Sequence, residues 1–253
     1  IEALRVKAGF YDPLPVQYWN WISKAFRGDF GQSYTYKYEV TKLIGERIGN
    51  TVWLSLLTMI LTYLIALPLG MIAGRYQNSW ADKAIVVYTF ITYSIPVFVF
   101  ALVLLWLFGY TLGWFPTRGS VDSDVVAGTL GYYINKFHHM ILPAFTMAIL
   151  STTGTIQYLR TGVIDANRHI FRNSILPIAA FLGYEFTGLI GGSVFIENIF
   201  SYPGMGNLFV TSITGRDYSV ILALLLLFGT ATLLGTLLSD IIMSIVDPRV
   251  RVQ

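Results

Sequence analysis

Between Thr51 and Ala73 the chain runs without one charged side chain. Crossing the hydrocarbon of a bilayer takes about 20 apolar residues in a helix. Lipid offers no partners for backbone N–H and C=O groups, so a spanning segment must bond internally. A run that is apolar throughout, rather than alternating, reads as a helix. Four further stretches repeat the pattern: Ala84–Phe115, Met140–Leu159, Asn173–Ile196 and Tyr218–Ser239. The second is long, with Pro96 placed to kink it and Gly109–Phe115 suited to the interface. The fourth is broken by Glu185, and the last can run on to Ile245. Hydrophobic residues make up 55% of the chain and charged residues 12%, against about 25% charged in soluble domains. The expected fold class is an all-α integral membrane protein with five spans in this sequence.

Basic residues concentrate on the cytoplasmic side of membrane proteins. The turns at 74–83, 160–173 and 247–253 hold Arg75, Lys83, Arg160, Arg168, Arg172, Arg249 and Arg251. The longer turns at 116–139 and 197–217 hold Arg118, Lys136 and Arg216. The first set is therefore expected inside, with residues 1–50 outside and the C-terminus inside. An external start without a signal peptide leaves its export unexplained, and the sequence opens on Ile1 rather than Met. The expectation is a further spanning helix before Ile1, six in the full protein. Within 1–50, Val16, Trp19, Ile22, Ser23 and Phe26 suggest an amphipathic helix, suited to the membrane surface or to an external partner.

The sequence offers little reactive chemistry. It has no Cys, which removes disulfides, thiolate ligands and a thiol nucleophile. The net charge of +3 gives no reason to expect nucleic acid. His138 and His139 are neighbours, about 100° apart on a helix, a poor chelate; they read as an interfacial pair with polar tips among the headgroups. HExxH, GxSxG and Walker-type motifs are absent, so no metal site and no ATP hydrolysis by this chain are expected. Glu185 is the sharpest single residue. An ionisable group in mid-span is costly and marks a functional site by default, although a hydrogen-bonded Glu facing another helix fits equally. Gly183, Gly188, Gly191 and Gly192 leave one side of that span small, for close packing or for a mobile pathway helix. Asp240 and Asp247 read as capping or anchoring groups at the inner end. A channel or carrier outranks an enzyme.

"FRNSILPIAAFLG", "GGSVFIENIFSYPGMGNLFVTSITGRDYSV" and "VDPRVRV" together resemble the permease of a peptide-type ABC importer. "QYWNWISKAFRGDFGQSY" and "RIGNTVWLSLLTMILTYLIALPLGMIAG" are similar to the external segment and second helix of the first permease subunit in oligopeptide/dipeptide systems. The resemblance implies an ABC importer permease fold of six helices with an external N-terminal segment at 1–50 and a permease domain at 51–253. It also implies a second homologous permease subunit, two cytoplasmic ATPase subunits that bind ATP and Mg, an external solute-binding protein, and a peptide substrate. The chain itself would hold no cofactor. Its place would be the bacterial plasma membrane. Close relatives carry dipeptides, longer peptides, nickel complexes or other small solutes. A proton-coupled carrier using Glu185 is the alternative from another class.

Carried over by residue, Glu197, Phe200, Pro203, Gly204, Gly206 and Asp217 match the external loop near the mouth that receives the binding protein. Glu185, Gly188, Gly192 and Ser193 are the pathway candidates. Arg249 matches a C-terminal anchor. Ile175, Leu176 and Pro177 match the end of the family's ATPase-coupling signature, but its E-A-A and Gly are absent. A turn of about a dozen residues closes a hairpin but is too short to build protruding coupling helices as well, at about 1.5 Å of rise per residue. The expectation is a coupling segment that this sequence skips near 166–168. Arg160, Arg168, His169 and Arg172 are then neighbours of the ATPase dock.

Overall fold

Helix α1 spans Leu14–Ala25, where the sequence suggested an amphipathic helix. Val16, Trp19 and Phe26 are exposed, and Ile22 and Ser23 are half-buried. The computed structural model describes residues 11–165 and 194–246. Expectations for Glu185, Gly188, Gly192, Ser193, Arg168, His169, Arg172 and Arg249, and for most of the span 173–196, lie outside the described residues.

The chain then turns back on itself before the first long helix. Ser33 N–H donates to Tyr38 O (2.8 Å) and Val40 N–H to Gly31 O (3.0 Å). Helix α2 runs Val40–Arg75, 36 residues, or about 54 Å. It begins well before Thr51, the start that charge alone suggested. Lys42, Glu46 and Arg47 make its opening turns look like a loop, yet Val40, Leu43 and Ile44 fall on one face. They bury against Met205, Leu208, Val220, Ala223 and Leu224, and that packing extends the helix beyond its apolar stretch.

Helix α3 is Trp80–Ser94. Ser79 caps it, accepting from Asp82 N–H at 3.2 Å. It ends where it must, since Ile95 precedes Pro96 and is held out of the helical region. Helix α4 follows at Val97–Leu104 and passes into a π-helical stretch, Leu105–Thr111. The expected single kinked span is a sharper object. Trp80–Ser94 and Val97–Thr111 meet at 101°. A 15-residue helix such as α3 is about 22 Å long, short of a bilayer core of about 30 Å, so the pair together makes at most one span.

Helix α5, Leu130–Asp165, also starts outside its expected span. Helices α6 (Val194–Ile199), α7 (Met205–Thr214) and α8 (Tyr218–Val246) complete the described chain. Helices α2, α5 and α8 are long and apolar enough to cross a membrane, and the α3–α4 pair makes a fourth crossing if counted as one. Helix α2 packs along α5. At one end of that contact, Leu54, Met140, Leu142 and Ala144 join Ala101, Leu105, Ile196, Phe200 and Tyr202 in one core. At the other, Ala66, Ala73, Ile85 and Ile156 form a second.

Candidate functional site

The loop that sequence singled out folds around the Glu197 side chain. Glu197 sits in α6 with no exposed surface. One carboxylate oxygen accepts the Thr51 hydroxyl at 2.7 Å. The other accepts the backbone N–H groups of Gly206 (2.7 Å) and Asn207 (3.1 Å). These are free donors in the first turn of α7, where the helix dipole favours an anion. Thr51 serves two partners, for its oxygen also accepts Met205 N–H at 2.8 Å. Beside it, the Asn50 amide donates to Pro203 O at 2.9 Å, and Tyr202 N–H donates to Glu197 O at 2.7 Å. Phe200 and Tyr202 fill the core beneath.

The glycines of this loop are required by space. A Cβ on Gly204 would collide with the Glu197 carboxylate, and one on Gly206 would stand 2.7 Å from Val194 Cα. The structure therefore brings Glu197, Phe200, Pro203, Gly204 and Gly206 into one latch. Its far anchor is Asn50–Thr51, where the sequence alone marks only the end of the 1–50 segment and the first residue of an apolar span. Two polar residues side by side at the edge of that span were the available signal.

Asp217 belongs to a second fastening. It accepts the Ser33 hydroxyl and Thr35 N–H at 2.9 Å, and Ser33 Oγ accepts Tyr36 N–H at 2.9 Å. The segment before α2 is thus tied to the residue before α8. Both carboxylates lie outside the spanning stretches. Burial pushes the Glu197 carboxyl above the usual range, and the hydrogen bonds from Thr51, Asn207 and Gly206 only partly offset it. Burial also acts upward on Asp217, but the bonds from Ser33 and Thr35 help to outweigh it and hold that carboxyl below its usual range. Burial likewise raises the Tyr202 hydroxyl.

Arg160 is apart from both. Its guanidinium grips Asp82 with two bonds, Nε to Oδ1 at 2.7 Å and Nη2 to Oδ2 at 3.0 Å. Asp82 is buried and went unnoticed in the sequence. The histidines depart from the expected interfacial pair. His138 is half-buried, with Nε2 3.0 Å from Trp114 O. The His139 side chain is almost fully buried, its Nε2 3.4 Å from Asp122 Oδ1 and its Nδ1 2.9 Å from Asn135 O. Among the described residues no group of three or more His, Asp or Glu is arranged to hold a metal.

Long apolar helices, a broken helix pair and a loop locked by internal hydrogen bonds define a multi-pass helical membrane protein. The chain belongs to the family of binding-protein-dependent transport system inner membrane components, whose model matches residues 66–168 and 166–252. It is therefore a transport component, of a family that works with ATPase and binding-protein partners. It is 37% identical to the oligopeptide transport system permease protein AppB of Bacillus subtilis, over 96% of this chain and 83% of that protein. It is 31% identical to the probable peptide ABC transporter permease protein y4tP of Sinorhizobium fredii, over 99% of this chain and 85% of the relative. The glutathione transport system permease protein GsiC of Salmonella choleraesuis is 29% identical, over 99% of this chain and 84% of GsiC. In fold it is similar to a chain of the inward-facing MetNI methionine ABC transporter, with a TM-score of 0.62, 14% identity, and coverage of 81% of this chain and 96% of that one.

Proposed function

We propose that this chain is a permease subunit of an ATP-driven importer that moves oligopeptides or dipeptides into the cell. The observation that carries the reading is the match to AppB along 96% of the chain, supported by the peptide-system name of a second relative. In this reading the chain supplies the pathway and gates, and does no covalent chemistry. It pairs with a second homologous permease. Two cytoplasmic ATPase subunits bind ATP and Mg, and an external binding protein delivers the peptide. The chain lies in the bacterial plasma membrane, with the latch and Ser33 outside and Arg160 inside, as the distribution of Lys and Arg supports. The pathway then includes Glu185, Gly188, Gly192 and Ser193, and the latch borders the mouth. Arg168, His169 and Arg172 border the ATPase dock.

The coupling segment is proposed to interrupt the sequence near 166–168. The two stretches matched by the family model meet at those residues, as they would on either side of a skipped segment. Mass-spectrometric peptide mapping of the purified chain from Arg160 to Arg172 should return additional residues there. A continuous Asp165–Ala166–Asn167–Arg168 would refute that part.

The function itself is tested in proteoliposomes holding the full assembly and its binding protein. Labelled tripeptide uptake should require ATP, and ATP hydrolysis should rise with peptide-loaded binding protein. Uptake driven by a proton gradient without ATP would instead make Glu185 a coupling site in a secondary carrier.

A further inference from the structure

The polar contacts between α3 and α5 form a ladder. Asp82 pairs with Arg160. One turn and more along, the Gln157 amide donates to Thr89 Oγ1 at 2.7 Å. Tyr88 Oη and Thr152 Oγ1 lie 2.8 Å apart, and Thr92 and Thr153 hydroxyls 2.6 Å apart. Thr89, Thr92 and Thr152 are buried. Helix α2 closes on the same length of α5 by a different device. Ala66, Gly70 and Gly74 follow at intervals of four, and a Cβ on Gly70 would stand 2.6 Å from Leu159 Cβ. Gly74 meets Val163 as closely. Small residues at this spacing bring helix backbones together inside a membrane. Three helices are therefore joined at one end, and α3 leaves that set abruptly at Ile95–Pro96. Beyond the 101° bend, α4 packs with Leu54, Phe200 and Tyr202.

We propose that α3 and the adjoining lengths of α2 and α5, residues 66–94 and 152–163, move together during transport, with Asp82–Arg160 as the positioning pair that holds α3 to α5. The proposal rests on the permease reading above. Its physical basis is that packed interfaces shift between discrete arrangements rather than deform continuously. Arg160 stands five residues before Asp165, the last described residue of α5, so a push from that side reaches α3 through its grip on Asp82. A ladder of fully bonded polar groups in a low-dielectric interior resists sliding, because each slipped rung leaves groups unpaired.

The absence of Cys makes a direct experiment available. Thr92→Cys and Thr153→Cys are introduced together and oxidised in the assembled transporter; hydroxyls 2.6 Å apart bring the two Cβ atoms within disulfide reach. The cross-link should form, and peptide uptake should stay within about twofold of the reduced protein, since a link inside one rigid body leaves its motion free. Failure to form the link, or loss of uptake restored by reductant, overturns the proposal. In parallel, Asp82→Ala should lower peptide moved per ATP hydrolysed by about fivefold, as expected when a coupling contact is removed, with hydrolysis retained. An unchanged ratio removes the positioning role. Should that variant fail to assemble, the cross-linked pair, which removes no charge, decides. Lack of ATP-driven uptake by the unsubstituted assembly would defeat the permease reading itself, and this proposal with it.

Discussion

Glu197 and Asp217 are two carboxylates of the same loop with the same kind of partners, and they respond oppositely. Each accepts a hydroxyl and backbone N–H groups, and neither has exposed surface. Glu197 lies deep, beneath Gly204 and Gly206, so the loss of water dominates and its carboxyl is raised. Burial acts upward on Asp217 as well, but the hydrogen bonds from Ser33, Thr35 and neighbouring backbone together outweigh it and lower the carboxyl. The difference teaches that the kind of partner does not fix the charge state; the balance between water lost and donors gained does.

The contrast can be broken by substitution. Glu197→Ala should have the largest effect, because it strands Thr51 and two backbone donors at roughly 1–3 kcal/mol each. A loss of about 4 kcal/mol is expected, read as a fall in Tm of the purified protein in detergent. Gly204→Ala should cost about 3 kcal/mol by forcing a Cβ onto the carboxylate, and faster proteolysis of the 197–207 loop would report it. Next comes Asp217→Asn, at about 2 kcal/mol, since the site favours the charge that it removes. Glu197→Gln should cost less than Asp217→Asn at neutral pH, about 1 kcal/mol, because its site already disfavours charge. The reverse order of the two amide variants in Tm would sink the comparison.

Acid sharpens it further. Asp217 is depressed in the fold, so its stabilisation is present above the ordinary carboxylate pKa and is lost as pH falls through the folded value. Glu197 is raised, so ionising it weakens the fold, and the fold gains as pH falls through its folded value toward the ordinary one. Hydrogen exchange between neutral and mildly acidic pH should therefore show Met205–Asn207 gaining protection. Thr35 should hold its protection until stronger acid.

The spans were legible because lipid demands uninterrupted apolar sequence, and α2, α5 and α8 carry it. The N-terminal extensions of α2 and α5 were not: in α2, Lys42, Glu46 and Arg47 read as loop while Val40 and Leu43 pack on residues far along the chain. The 101° turn was half legible. Pro96 marked the break, but its angle depends on what α3 and α4 each pack against. In the loop, the residue types pointed to a turn, and the resemblance pointed to the mouth. The partners Thr51, Ser33 and Asp82 emerged only from the fold, because no local pattern ties them to residues so distant.

Those distances in sequence also set an order in time. Thr51 is 146 residues from Glu197, and Ser33 is 184 from Asp217. At roughly 5–20 residues per second, a ribosome needs about seven to thirty seconds to span the first pair and about nine to thirty-seven to span the second. For that interval the start of α2 exists without the partners that fasten it. The two fastenings that tie the start of α2 to the stretch before α8 therefore close only after most of the described chain has been made.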